Sequence, residues 1–191
     1  ASWEARGDNW NLGNGDTSGG TFVSMLDING DGLPDHVQKK ASMVGYFDVY
    51  LNTGSGFAPA VQWFAPGDNW NLGNGTTSGE TFIALLDING DGLPDHVEKN
   101  STMAGYFNVR LNTGSGFASA VQWVAPGDNW NLGNGNTSGA TFIAMLDING
   151  DGLPDHVEKN ATTVGTFNIR LNTGSGFAPV MAWSAPGDNR N

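Results

Sequence analysis

The sequence contains no cysteine, which excludes disulfide staples, a thiol nucleophile and a thiolate-ligated zinc. Basic residues are scarce. Eight Lys and Arg stand against 19 Asp and Glu, a formal net charge of -11, so nucleic acid and anionic membrane surfaces are repelled and cations are favoured as partners. No apolar run approaches the roughly 20 residues that a membrane-spanning helix needs, so no membrane insertion is expected. Ala1-Ser2-Trp3 lacks the basic-then-apolar layout of a secretory leader, so the chain reads as soluble, with any such leader already removed.

What the chain does have is 29 glycines, 38% hydrophobic residues and 10% aromatics, enough to bury a core and better suited to short strands and tight turns than to helices. A period of 60 organises it. Gly7-Asp8-Asn9-Trp10-Asn11-Leu12-Gly13-Asn14-Gly15 returns from Gly67 and again from Gly127, and 47 of 60 positions agree between residues 67–126 and 127–186. Copies this similar are expected to share one structure and one set of sites. The frame divides the chain into a partial repeat end that would serve as a closing strand (1–6), three repeats (7–66, 67–126 and 127–186) and the start of a further one (187–191).

Within the middle copy, 81–88 is apolar on both faces, as a strand between two sheets would be. A short strand is expected at 96–99. Residues 106–111 alternate, Phe107, Val109 and Leu111 on one face against Tyr106, Asn108 and Arg110 on the other, and 116–124 supplies a fourth strand. Four strands per repeat describe a β-propeller blade, so the expected fold is all-β. Rings typically use 4 to 8 blades, so three are expected to close as a homo-oligomer through blade edges, a six-bladed homodimer being favoured, or to belong to a longer array.

Each copy carries Leu-Asp-Ile-Asn-Gly-Asp-Gly-Leu-Pro-Asp. Asp27, Asn29, Asp31 and Asp35 offer side-chain oxygens and Leu33 a backbone carbonyl. Asp87, Asn89, Asp91, Leu93 and Asp95 repeat the set, as do Asp147, Asn149, Asp151, Leu153 and Asp155. Hard oxygen donors in this number suit calcium, about one per repeat and three per chain. The bland alternative is an acidic Asn-Gly/Asp-Gly turn, but carboxylates crowded without a cation repel one another, and three copies repeat that cost. Glu98 and Glu158 complete an EF-hand pattern, Gln38 taking that place in the first copy. An EF-hand needs flanking helices, and the flanks read as strands.

The Asp-x-Asn-Gly-Asp-Gly-x-x-Asp loop followed by Leu-Asn-Thr-Gly-Ser-Gly-Phe resembles the FG-GAP or VCBS repeat in all three copies. Related repeats form calcium-bearing blades of integrin α-subunits, propeller regions of SpvB-like and insecticidal toxin-complex proteins, and the Psathyrella velutina-type propeller lectin. The resemblance implies a loop between the first and second strands of each blade. This chain departs from the pattern in the Asn at loop position 3 and in the long Asn-rich segment between repeats.

That segment is long for a connector and carries a Trp at its middle. Trp10, Trp70 and Trp130 with Asp8, Asn9, Asn11 and Asn14, with Asp68, Asn69, Asn71 and Asn74, and with Asp128, Asn129, Asn131 and Asn134 offer an apolar face beside short polar groups, the general arrangement for stacking and bonding a sugar. The same tryptophans could instead plug the gap between blades. Trp3, Trp63, Trp123 and Trp183 are expected to cover blade edges, and His36, His96 and His156 to sit beside the metal ligands or at the surface. No nucleophile, base and orienter recur together, so a non-enzymatic calcium-binding lectin is expected, the alternative being a structural or protein-binding propeller of toxin or adhesion type. Loops of this kind fit extracellular calcium levels, which points to a secreted protein.

Overall fold

The structure is a computed structural model that describes residues 21–40, 43–68, 81–100, 103–128, 141–160 and 164–187. Asp8, Asn9, Trp10, Asn11, Asn14, Asn69, Trp70, Asn71, Asn74, Asn129, Trp130, Asn131 and Asn134 lie outside the described residues.

Twelve strands form three four-stranded antiparallel sheets, each in sequence order. The first holds β1 (Thr21–Leu26), β2 (Asp35–Lys40), β3 (Tyr46–Tyr50) and β4 (Val61–Phe64). The second holds β5 (Thr81–Leu86), β6 (Asp95–Asn100), β7 (Tyr106–Arg110) and β8 (Val121–Val124). The third holds β9 (Thr141–Leu146), β10 (Asp155–Asn160), β11 (Thr166–Arg170) and β12 (Met181–Ser184). The all-β architecture of propeller-type blades thus follows the sequence expectation. The fourth strand is shorter than expected. Asn112 and Phe117 make a single bridge across the 113–116 turn, which takes up the start of the anticipated 116–124 strand.

Period-2 patterning sets the register. In β3, Phe47 and Val49 are buried while Tyr46 and Asp48 are half-buried, and Phe47 pairs across to Trp63. The central strand β2 is buried along Asp35–Lys39 despite its polar sequence, so its polar groups depend on partners within the protein, which the Gln38 side-chain amide lacks among the described residues.

The cores lie between blades. Ile28, Val37, Phe47, Val49, Trp63 and Ala65 of the first blade are joined by Phe117 from the second, and Ile88, Val97, Phe107, Val109, Trp123 and Ala125 of the second by Phe177 from the third. Phe117 meets Phe47 at 5.4 Å and Trp63 at 6.1 Å between ring centroids, and burying one such phenyl ring stabilises by about 1.5–3 kcal/mol. Backbone bonds lock the seating: Phe117 N donates to Phe64 O, and Phe177 N to Val124 O, each at 2.8 Å. Asn112 Nδ2 donates to Ile28 O and Asn172 Nδ2 to Ile88 O, also at 2.8 Å.

The acidic loops touch one another as well. A Cβ on Gly90, at φ +81°, would lie 2.8 Å from Leu153 Cδ2, whereas one on Gly92 of the same loop, at φ +89°, would meet nothing within 4 Å. Both Gly90→Ala and Gly92→Ala carry the backbone cost of a left-handed residue. Only the first also crowds the next blade, so its urea midpoint is expected to fall further, by about 1 kcal/mol in stability. Equal losses would show that the loops are not in contact in solution.

Candidate functional site

The Asp-rich loop joins β1 to β2, β5 to β6 and β9 to β10, the position that the repeat resemblance implies. It is built around the first carboxylate. Asp27 Oδ1 accepts from Gly30 N at 2.8 Å and Asp31 N at 3.0 Å, and Oδ2 accepts from Gly32 N at 2.8 Å. Gly30 and Gly32 turn the chain at φ +79° and +87°, conformations that side chains resist. Asp31 Oδ1 accepts from Leu33 N at 2.8 Å and its Oδ2 from Asn29 Nδ2 at 3.0 Å. The copies around Asp87 and Asp147 repeat each of these bonds.

The last carboxylate is different in kind. Asp35, Asp95 and Asp155 are buried and tie the loop to the blade. Each accepts from the main chain of Asn52, Asn112 or Asn172 at 2.7 Å, and of Ile28, Ile88 or Ile148 at 3.2 Å. Burial raises the Asp35 carboxyl above its usual range, with further push from the charges of Asp31 and Asp27. Asp95 is raised to about 6 by burial, with Asp91 and Asp87 adding to the rise. The three carboxylates of a loop therefore share one electrostatic environment.

A carboxylate has about four lone-pair sites. The bonds above engage three on Asp27, two on Asp31 and two on Asp35, leaving oxygen donors on all three, together with the second lone pair of the Asn29 amide oxygen, which accepts from Asp31 N at 3.1 Å. Such a donor set fits a hard cation. Asp27, Asn29, Asp31, Leu33 and Asp35, with their equivalents, are the residues that would hold it.

Among the described residues, a tight grouping of potential ligands lies elsewhere, at the junction of the first two blades. Atoms of Asp68, His96 and Glu98 come within 4.8 Å of one another, all buried. This group already has its cations. Lys39 Nζ pairs with Asp68, and Arg110 Nη1 with Glu98 at 2.9 Å. Two positive and two negative charges balance around a neutral imidazole, so a metal would have to displace a lysine or an arginine. The arrangement recurs between the next blades, where Lys99 pairs with Asp128 and Arg170 with Glu158.

Here the structure departs from the sequence expectations. Asp68 and Asp128, grouped there with the sugar-facing residues, turn their carboxylates inward to lysines. The histidines are not at the surface. His36, His96 and His156 are buried, and His96 Nδ1 lies 3.1 Å from Arg110 Nη1 with its ring against Phe47 and Phe117. Burial, then Arg110 and Lys39, holds His96 well below the usual imidazole range, and burial, Arg170 and Lys99 hold His156 at about 3. Trp63 and Trp123 are buried between blades, as expected of edge-covering residues.

Sequence reasoning missed Asn112 and Asn172. Their side chains bridge to a carbonyl of the preceding blade's acidic loop and to Pro94 O or Pro154 O of their own. The only signal was the unvarying Leu-Asn-Thr-Gly-Ser-Gly-Phe, which by itself reads as a turn.

No protein-family model and no curated protein matches the chain. Among solved structures it is similar to the Tc holotoxin pore of Photorhabdus luminescens, with a TM-score of 0.63 and 22% identity, covering 88% of this chain and 7% of that one. It is also similar to an Agrocybe aegerita lectin described as recognising non-reducing terminal N-acetylglucosamine, with a TM-score of 0.59 and 21% identity, covering 88% of this chain and 39% of that one. The chain thus spans a small part of each, and the likeness is one of fold: this is an all-β chain of propeller-type blades.

Proposed function

We propose that the chain is a non-enzymatic, calcium-binding propeller lectin that acts outside the cell, with one calcium loop and one shallow sugar site per repeat. The calcium reading is supported by the threefold recurrence of one acidic loop, with the same amide bonds to Asp27, Asp87 and Asp147 and a buried acid closing each loop. Calcium would supply the positive charge that the carboxylates lack and fix the β1–β2 connection against the neighbouring blade. The sugar reading is supported by Trp10, Trp70 and Trp130 among Asn residues and by the likeness to a lectin that recognises terminal N-acetylglucosamine. Weak sites repeated on one particle gain strength by multivalency, which gives three near-identical repeats a use.

The likeness to a toxin-complex component favours a second reading, in which calcium only rigidifies blades and the ligand is a protein. A glycan array probed with the wild-type chain and with Trp70→Ala separates the two. Binding to a defined glycan class that drops by about tenfold or more, roughly 1.4 kcal/mol, in the variant is expected. Undiminished binding by Trp70→Ala would remove the proposed sugar site, and absence of any glycan signal would favour the protein-binding module.

A further inference from the structure

The first two acidic loops are each held from two blades. Within its own blade the first loop is anchored by Asp35, which accepts from Ile28 N at 3.2 Å and Asn52 N at 2.7 Å. From the next blade comes Asn112, whose Nδ2 donates to Ile28 O at 2.8 Å across 84 residues of sequence. Ile28 stands between Asp27 and Asn29, two of the residues that offer side-chain oxygens, and it is fully buried. Bulk water does not reach its carbonyl, so the Asn112 amide supplies the donor that a buried oxygen needs. That amide is itself fixed. Its Oδ1 accepts from Gly114 N at 2.8 Å, its Nδ2 also donates to Pro94 O at 3.0 Å, and the main-chain N of Asn112 donates to Asp95 Oδ1 at 2.7 Å. With an acceptor needed on one side and two donors on the other, a single orientation of the amide satisfies every partner. Leu93 of the same blade packs on the first loop as well, its Cδ2 lying 2.8 Å from where a Cβ on Gly30 would stand. The second junction repeats the set. Asn172 Nδ2 donates to Ile88 O at 2.8 Å and to Pro154 O at 3.1 Å, its Oδ1 accepts from Gly174 N at 2.8 Å, and Leu153 stands over Gly90.

We propose that Asn112 and Asn172 are positioning residues for the cation sites of the first and second loops, so that each of these sites is built from two blades. The proposal rests on the calcium reading above. Neither asparagine offers an atom to the cation. Each holds the carbonyl of the peptide that leads into the asparagine at loop position 3, Asn29 or Asn89, and so fixes the point from which that side chain reaches into the loop. A loop held in advance gives up less freedom when it binds than one that must be ordered on entry. Removing an outer partner of a metal ligand typically costs about 10–100-fold in affinity. The bond between blades belongs to the fold rather than to the filling of any loop, so the sites stay independent of one another's occupancy.

Isothermal titration calorimetry with calcium chloride on single-loop chains tests it. In the 191-residue chain carrying Asp91→Asn and Asp151→Asn, the first loop alone keeps all its acids. Adding Asn112→Ala, a change in the second blade, is expected to raise the Kd of that first-blade loop about tenfold. Thr113→Ala removes the Oγ1 bond to Gly116 O from the same turn and bonds to neither loop, so it is expected to leave the Kd within about twofold. In the chain carrying Asp31→Asn and Asp151→Asn, Asn172→Ala is expected to weaken the second loop as Asn112→Ala weakens the first. If Asn112→Ala does not fold, Asn112→Asp takes its place: Gly114 N keeps an acceptor while Ile28 O loses its donor. The added negative charge would by itself favour a cation, so a raised Kd still reports the lost bond. A Kd that the Asn112 variant does not raise, or that Thr113→Ala raises as much, would overturn the proposal. So would an equal weakening of the third loop, measured with Asp31→Asn and Asp91→Asn, because that would be a general loosening of the chain. A parent single-loop chain that takes up no calcium would overturn the calcium reading itself, and the proposal with it.

Discussion

Chelating calcium is expected to lower the thermal unfolding midpoint of this chain by on the order of 20 °C relative to a sample in which each loop is about 100-fold saturated. Mass action gives roughly 2.7 kcal/mol per site at that saturation, and three independent sites give about 8 kcal/mol. A chain of this size moves by about 2–4 °C per kcal/mol. The expectation rests on the division of labour within each loop. Asp95 is buried and bonded to Asn112 N and Ile88 N, so Asp95→Asn would disturb the loop's attachment to the blade with or without metal. Asp91 is exposed, and its carboxylate retains free oxygen sites beyond its bonds to Leu93 N and Asn89 Nδ2. Asp91→Asn is therefore expected to leave the midpoint in chelator within a few degrees of wild type while removing about one third of the calcium-induced shift. Differential scanning calorimetry with and without calcium measures both. A midpoint indifferent to calcium would mean that the amide bonds to Asp27, Asp87 and Asp147 are the whole purpose of these acids, and that the loops are turns.

Much of this architecture was legible because it is written in short-range patterns. The period of 60 and the alternation in 106–111 specify strands and their inward faces before any contact is known, and Asn-Gly-Asp-Gly between two apolar stretches specifies where the chain must turn. The strand character of the flanks was enough to set aside the EF-hand reading despite Glu98 in the expected place. That glutamate pairs instead with Arg110 across two strands. What was not legible depends on contacts between residues far apart in sequence. Nothing near Lys39 indicates that its ammonium will be buried with Asp68 of the segment after β4, and Asp68 on the sequence looks like one more polar residue of the Asn-rich stretch. The histidines were misplaced for a related reason: His96 follows a loop acid, but strand alternation sends the two side chains to opposite faces, the acid toward the loop and the imidazole into the junction. Asn112 shows the limit most plainly, since its partner Ile28 O belongs to the preceding repeat, 84 residues away.

The buried lysines give the largest expected effect of a single substitution. Lys99 Nζ donates to Tyr106 O at 3.0 Å and to Met103 O, lies 4.8 Å from the centroid of the Phe107 ring, and pairs with Asp128, with both charged side chains at most 1% exposed. Burial lowers the Lys99 ammonium from its ordinary range and raises the Asp128 carboxyl, and in each case the partner's charge opposes the shift. Each ion is therefore tolerated because the other is present. Lys99→Met removes the cation, leaves Asp128 buried without its counter-charge, and is expected to cost about 3–5 kcal/mol. Asp128→Asn should cost a similar amount by stranding the lysine. Replacing both together should cost clearly less than the two single losses added, because well-packed neutral groups can substitute for a buried pair at little net cost. Urea unfolding of the three variants closes the double-mutant cycle. Single losses below about 1 kcal/mol with no coupling would instead be the behaviour of a solvent-exposed pair, and would mean that the junction between blades admits water. A strong coupling would place the Lys99–Asp128 pair among the main fixings of the blade junction. It would also establish that the Asn-rich segment, whose residue 129 follows Asp128 directly, leaves the blade from an anchored point.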